Sequence, residues 1–222
     1  MPGRSTRCYL TIVAPVHGLA LLPAERRASV RSTSLLRLVR IALSGSHAVG
    51  KSTLIADLQR ELAHYKTVDE PYYELIDEGH IFSDRPSVED YLTQLERSIA
   101  ELTSEHAADV LYDRCPADFL AYLDALKAND TVRERLAPVG DALRRLDLIV
   151  FVPIEQPDRI AGVPAAPSLR RRVDTLLREM LLDDSYGFDL PVIGIRGSRP
   201  ARVKQVVAAM QERGFDASSG TV

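Results

Sequence analysis

Short apolar runs alternate with longer amphipathic segments along most of the chain. Five runs are almost continuously apolar and are bounded by turn or charged residues, as expected for parallel strands covered on both faces. They lie at residues 40–44, 65–68, 109–112, 146–152 and 191–195. The segments between them repeat apolar side chains at helical spacing, at residues 51–64, 87–106, 118–127, 131–145, 169–182 and 201–214. This alternation predicts an α/β fold with a parallel sheet and right-handed crossover connections.

The segment at residues 87–106 carries a recognisable helix start. Ser87 and Asp90 stand at the spacing of a capping box, in which each side chain hydrogen-bonds the backbone N–H of the other residue. The positions that follow predict one apolar stripe, formed by Val88, Leu92, Leu95, Ile99 and Leu102. We therefore expect this helix to bury that stripe against the rest of the domain.

The first 38 residues differ from the rest of the chain. They are rich in arginine, contain Glu25 as their one acid, and include an apolar run at residues 8–22 that Pro15, His17 and Gly18 interrupt. Such a stretch is typical of a targeting leader, of a disordered extension, or of translated sequence upstream of a later start. We expect an extension at residues 1–38, one domain at residues 39–216 and a short tail at residues 217–222.

Composition narrows the class of protein. At 222 residues, with 45% hydrophobic and 27% charged residues, the chain resembles an ordinary globular domain. A net charge of −3 argues against a general binder of nucleic acid or membrane surfaces. The two cysteines are too few for a disulfide framework, so we expect a cytoplasmic protein. No apolar run reaches the ~18 residues that a membrane-spanning helix needs.

A phosphate-binding loop follows the first predicted strand. Residues 45–52, which read GSHAVGKS, match the pattern G-x-x-x-x-G-K-[ST] without a gap. The glycines let successive N–H groups converge on anionic oxygens, Lys51 adds a cation for the β- and γ-phosphates, and Ser52 supplies an oxygen ligand for Mg²⁺. We predict that ATP and Mg²⁺ bind through Gly45, Ser46, His47, Ala48, Val49, Gly50, Lys51, Ser52 and Thr53.

Charged residues at the ends of two further strands are the candidates for catalysis. Asp113 ends the third strand, where a second metal ligand is expected in this class of site. Arg114 follows it and can meet the phosphates or an anionic substrate. Asp69 and Glu70 end the second strand, and either can accept a proton from an acceptor hydroxyl. We prefer Glu70 as this base and keep Asp69 as the alternative.

Two arginine-containing segments come later in the chain. A Pro/Ala/Gly-rich stretch at residues 161–167 predicts a mobile lid, and the arginines at 170–172 follow it. We assign Arg171 to stabilise charge on the transferred phosphoryl group, the alternative being that the triplet is the solvated first turn of a helix. The turn after the fifth strand contains Arg199 and Arg202. Either can stack on the nucleobase, and we assign Arg199 to that pocket.

Together these residues resemble the NadR-type AAA domain, a P-loop family related to nucleoside and nucleotide kinases. The resemblance rests on the phosphate loop, on Asp69-Glu70-Pro71, on the YDRCPADFLAY segment at residues 112–122, and on the stretch from Arg172 to Gly197. It implies a P-loop three-layer sandwich whose five-stranded parallel sheet has the order 2-3-1-4-5. It also implies ATP use and, in the namesake, phosphorylation of a ribosyl-nicotinamide nucleoside. The family often has an arginine after a Gly-Val pair in the lid, where this chain has Pro164.

Two functions remain open from the sequence. The first is an ATP- and Mg²⁺-dependent kinase that transfers the γ-phosphoryl group to a hydroxyl of a nucleoside-like small molecule, with Lys51, Arg114 and Arg171 neutralising charge. Ser52 and Asp113 would then hold the metal and Glu70 would orient the hydroxyl. The second is a nucleotide-dependent switch that hydrolyses slowly and acts on a protein partner. Neither function involves a nucleic acid or a membrane.

Overall fold

The computed structural model describes residues 38–106, 108–158 and 166–217. The predicted N-terminal extension apart from Leu38, most of the predicted lid at residues 161–165, and the tail beyond Ala217 lie outside the described residues. In the part of the chain that is described, no helix is long and apolar enough to cross a membrane.

The core of the domain is a parallel sheet of five strands in the order β2-β3-β1-β4-β5, which confirms the predicted topology. The strands are β1 (Arg40–Ser44), β2 (Lys66–Val68), β3 (Val110–Asp113), β4 (Leu148–Phe151) and β5 (Val192–Gly194). β3 and β4, which flank β1, are buried at every position, whereas the edge strands β2 and β5 keep partly exposed residues. The near-continuous apolar runs mark the buried strands because helices cover both faces of the sheet.

Seven helices lie among the described residues. They are α1 (Lys51–Glu61), α2 (Pro71–Asp77), α3 (Val88–Thr103), α4 (Pro116–Ala125), α5 (Asn129–Leu143), α6 (Pro167–Leu181) and α7 (Arg199–Glu212). α1 and α7 pack on one face of the sheet, around Leu58 and Met210. α3, α4, α5 and α6 cover the other face, where Phe119 and Phe151 are fully buried. The three-layer sandwich is therefore confirmed.

Helix α3 begins as predicted and buries most of the predicted stripe, because Leu95 and Leu102 lie in the core and Leu92 and Ile99 pack against it. The Ser87 side chain accepts a hydrogen bond from the Asp90 N–H at 3.1 Å, which satisfies one of the open donors of the first turn. Val88 is exposed, so its place in the apolar stripe was wrong. The buried residues of α3 are Asp90, Gln94, Leu95, Ser98 and Leu102. Buried polar side chains on this face indicate that it borders a site as well as the core.

Candidate nucleotide and acceptor site

The phosphate loop leads from β1 into α1 through a tightly packed turn. A Cβ atom at Gly45 would lie 2.4 Å from the carbonyl oxygen of Val152, so the backbones approach too closely there for any other residue. Gly50 has a φ of 91° and precedes the first turn of α1. Lys51 is buried, and its Nζ donates to the carbonyl oxygens of Gly45 at 2.9 Å and Ser46 at 3.1 Å. The loop is thus a tight turn closed by Lys51, and its binding of phosphates stays a prediction.

Lys51 has an ammonium group that is poorly solvated. Burial lowers its pKa from 10.5 to about 8, and the neighbouring cation of Arg114 acts in the same direction. The carboxylates of Asp113, Asp118 and Glu70 oppose this shift without cancelling it. A triphosphate beside Nζ would favour the charged form, so the binding of an anion and the protonation of Lys51 support each other.

Ser52 and Asp113 lie side by side, where the sequence predicts the metal. Ser52 Oγ donates to Asp113 Oδ2 at 2.7 Å, while Asp113 Oδ1 is buried and has no hydrogen-bond partner among the described residues. Burial raises the pKa of the Asp113 carboxyl group, and the charge of Lys51 only partly offsets that effect. A hard cation would satisfy the unpaired oxygen and stabilise the carboxylate. These residues therefore fit Mg²⁺.

Arg114 and Asp118 form a buried hub beneath the loop. Arg114 Nη1 donates to the Gly45 carbonyl oxygen at 3.0 Å and to Asp118 Oδ1 at 3.3 Å. Asp118, which is fully buried, accepts from the Gly45 N–H at 2.9 Å and from the Cys115 N–H at 3.1 Å. No site role was predicted for Asp118, although it stands three residues after the N-cap Cys115 and completes the capping box of α4. It fixes the first residue of the phosphate loop.

Glu70 lies at the start of α2 and pairs with this hub. Its Oε1 is 2.6 Å from Arg114 Nε, although the N–H of that nitrogen is not directed at the oxygen, so the contact is an ion pair. Burial opposes the charge of Glu70, but Arg114 and Lys51 outweigh it and lower the pKa of the carboxyl group. Glu70 is therefore ionised at neutral pH. Asp69, the alternative base, is exposed.

A cavity of about 410 Å³ opens beside Glu70. Its walls include five phenylalanine and tyrosine rings, and the Tyr91 and Tyr122 rings stack with centroids 4.5 Å apart. Polar groups on the lining converge from several elements, and Gln94 on α3 is the buried amide among them. The aromatic, charged and amide residues of the lining are His47, Glu70, Tyr72, Phe82, Asp84, Asp90, Tyr91, Gln94, Arg114, Phe119 and Tyr122. Apart from His47, Glu70 and Arg114, none of them was predicted as a site residue.

The cavity above the phosphate loop shares part of this lining. It also has a volume of about 410 Å³ and is lined by residues 47–53 together with Glu70, Tyr73 and Arg114. His47, Glu70 and Arg114 thus border both cavities. His47 is held toward the aromatic cavity, because its N–H donates to Tyr122 Oη at 3.1 Å and its Nδ1 lies 3.2 Å from the same oxygen.

A third cavity, of about 370 Å³, lies at the other end of the loop, between α1 and the turn before α7. Gly50, Thr53, Arg199 and Arg202 line it, so both candidates for the nucleobase pocket are present. Arg199 is exposed and bound to Asp57 through two nitrogens, at 2.8 and 3.0 Å. Arg202 is buried. Stacking of Arg199 on a base stays a prediction.

Comparison with known proteins identifies the family. A family model described as an AAA domain matches residues 40–202, most of the chain. The chain belongs to this AAA domain family. Comparison with curated protein sequences found no match.

Solved structures share the fold of this AAA domain at low sequence identity. Deoxyadenosine kinase from M. mycoides has a TM-score of 0.57 at 13% identity, over 79% of this chain and 100% of that chain. A NadR protein in complex with NAD and AMP-PNP has a TM-score of 0.58 at 19% identity, over 81% of this chain and 50% of that chain. Thymidylate kinase from Candida albicans has a TM-score of 0.57 at 17% identity, over 80% and 93% of the two chains. The resemblance to NadR-type P-loop proteins is thereby confirmed.

The AAA domain does not bring Arg171 to the phosphate loop. Arg171 is exposed, whereas Arg170 is buried on the face of α6 that also carries Val173 and Leu177. Because one residue advances a helix by about 100°, only one arginine of the triplet can share that apolar face. Arg170 donates to the carbonyl oxygens of His47 and Ala48, both at 2.8 Å. A catalytic role for Arg171 stays a prediction, and Arg170, which the sequence named only as part of the triplet, is the arginine that contacts the loop.

Proposed function

We propose that this AAA domain protein is a cytoplasmic, ATP- and Mg²⁺-dependent kinase that phosphorylates a hydroxyl of a nucleoside-like small molecule. The observation that carries this proposal is the shared wall between the two cavities. His47, Glu70 and Arg114 border both the phosphate loop and the aromatic cavity. A hydroxyl that reaches this wall from the aromatic cavity comes next to the end of a triphosphate held by the loop.

The residues of the chain divide the work of transfer. The loop N–H groups and Lys51 hold the phosphates, and Ser52 and Asp113 would hold Mg²⁺. When bound, the metal neutralises charge on the phosphate oxygens. Glu70 accepts the proton of the acceptor hydroxyl as the hydroxyl oxygen bonds to the γ-phosphorus. The bond between the γ-phosphorus and the oxygen that bridges it to the β-phosphate breaks, and ADP leaves. Arg114 keeps Glu70 ionised and orients it through their ion pair.

The charges around the aromatic cavity favour an acceptor without a phosphate of its own. Glu70, Asp84 and Asp90 contribute three carboxyl groups to the described lining. The arginine there is Arg114, whose charge is already paired with Glu70 and Asp118. A nucleoside monophosphate would bring two more negative charges next to these carboxylates, which repel it. A neutral or cationic ring system that stacks on the tyrosines fits better.

ATP turnover with and without a panel of nucleosides tests the proposal. We expect one nucleoside to stimulate turnover and to yield a phosphorylated product. Glu70→Gln should leave Mg·ATP binding unchanged and lower kcat by about 100- to 10,000-fold, as expected for loss of a general base. Asp69→Asn is the matched control. If it is the variant that loses activity, the base is Asp69.

The same assay separates the kinase from the nucleotide-dependent switch. A slow turnover that no nucleoside changes, and that Glu70→Gln leaves unaltered, would contradict the kinase and favour action on a protein partner. Lys51→Ala should abolish nucleotide binding for either function, so it shows that the turnover belongs to this site.

A further inference from the structure

The carbonyl groups of the phosphate loop are bound by cationic side chains along five consecutive residues. Lys51 and Arg114 bind the carbonyl oxygen of Gly45, and Lys51 also binds that of Ser46. The remaining three carbonyl oxygens accept from helices that follow much later in the chain. Arg170 of α6 binds those of His47 and Ala48, and Arg202 of α7 binds that of Val49, each at 2.8 Å.

These contacts determine where the loop N–H groups point. In a trans peptide the C=O of one residue and the N–H of the next point in opposite directions. Because Arg170 holds the carbonyl groups of His47 and Ala48, it turns the N–H groups of Ala48 and Val49 away from α6. Arg202 turns the N–H of Gly50 away from α7 in the same manner. These N–H groups are the donors with which such a loop cradles the α- and β-phosphates.

Each nitrogen of the two guanidinium groups has a partner in the protein itself. The third nitrogen of Arg170, Nη1, lies 2.5 Å from Asp158 Oδ2. Arg202 uses Nε for the Gly197 carbonyl oxygen at 3.1 Å and Nη2 for Glu155 Oε1 at 3.0 Å. Each residue is more than 90% buried. Their charges therefore act on the backbone of the loop and are paired with Asp158 and Glu155.

We propose that Arg170 and Arg202 are positioning residues that set the peptide planes of the phosphate loop from outside it. They act on the affinity for the diphosphate part of the nucleotide through the backbone of the loop, without contacting a phosphate oxygen. This role is independent of the proposed kinase activity, since a switch would need the same loop. It also differs from a transition-state arginine, which would act on the γ-phosphoryl group alone.

Calorimetry with Mg·ATP and with Mg·ADP tests the role of Arg170. Arg170→Met removes two charge-assisted hydrogen bonds to the loop, and we expect both dissociation constants to rise by the same factor, about 10- to 100-fold. Arg172→Met is the matched control, because Arg172 is exposed two residues away on the same helix and lies 4.0 Å from Asp124. It should leave both constants unchanged. Arg170→Lys should restore part of the affinity, since one ammonium group can serve one of the two carbonyl oxygens.

Three outcomes would overturn the proposal. A loss confined to Mg·ATP would mean that Arg170 contacts the γ-phosphate. An unchanged affinity for both nucleotides would mean that the loop keeps its shape without Arg170, and an equal loss in the Arg172 control would mean a general charge effect. Amide resonances distinguish local positioning from loss of folding, because Ala48 and Val49 should shift in Arg170→Met while the β1 and β4 amides stay in place. If that variant does not fold, Arg170→Lys and Arg202→Met carry the same test, each with an equal loss for ATP and ADP.

Discussion

The phosphate site and the aromatic cavity are neighbours, but the first is built mainly from backbone groups and the second from side chains. The phosphate site is made mainly of backbone N–H groups, a lysine and a hydroxyl within eight consecutive residues. The aromatic cavity is lined by side chains from the phosphate loop, α2, the loop before α3, α3, α4 and α6, and these side chains form no contiguous sequence motif. Backbone recognition leaves a contiguous signature in the sequence, because the chain must adopt one local shape. Side-chain recognition leaves none, because only the fold brings the residues together.

The phosphate loop nevertheless depends on a side chain from outside it, Asp118. The contiguous loop is anchored by this distant carboxylate, which accepts from the Gly45 and Cys115 N–H groups and pairs with Arg114. Asp118→Ala would leave those donors unsatisfied and the arginine partly unpaired in a buried position. We expect the free energy of unfolding to fall by about 3–5 kcal/mol. Chemical denaturation measures this, with Asp130→Ala as the control at an exposed ion pair; a loss under about 1 kcal/mol would show that the loop supports itself.

A substitution of Gln94 should affect the aromatic cavity and leave the phosphate site unchanged. Gln94 is buried on α3 and lines the aromatic cavity, with Nε2 donating to the Asp90 carbonyl oxygen at 3.1 Å. Gln94→Leu keeps the volume but removes the amide that can bond the polar edge of an acceptor. We expect the acceptor KM to rise about tenfold while the Mg·ATP dissociation constant stays unchanged. Steady-state kinetics with Thr93→Val as control would decide this, because Thr93 is half-buried on the same helix and is not among the lining residues of the cavity. A change in the Mg·ATP dissociation constant instead would show that the aromatic cavity and the phosphate site do not bind their ligands independently.

The smallest expected effect is a pH dependence confined to the phosphate site. The pKa of Lys51 is lowered to about 8 in the free protein, and a bound triphosphate raises it. Above pH 8 the complex therefore holds more protons than the free protein, so affinity for Mg·ATP falls as pH rises. We expect about a fourfold loss between pH 7.0 and 8.5. Calorimetry in buffers of different ionisation enthalpy should show proton uptake at pH 8.5, and the acceptor KM should not follow the same curve.

The strands and the order of the helices could be predicted because apolar periodicity reflects burial directly. Helix starts were less predictable. α4 and α6 begin at Pro116 and Pro167, two residues before the predicted starts, because proline in the first turn costs no hydrogen bond and fixes a helical φ. The seven-residue α2 was missed because it is too short to show a period of 3.6 residues.

The phosphate loop was found because its motif is local, whereas the residues that support it were not. Asp118 and Arg170 are charged residues on buried helix faces, where a pattern of apolar positions gives them no weight. Gln94 interrupts the apolar stripe of α3 in the same way. Charged and amide residues at buried helical positions are therefore the sequence feature that indicates the support of this site.

The wall shared by the two cavities also suggests one design of inhibitor. A single compound that joins a nucleoside-like ring system to a polyphosphate would lie across His47, Glu70 and Arg114 and fill both spaces at once. It would lose translational freedom once, where two separate molecules lose it twice, so tethering should raise affinity well beyond that of either fragment.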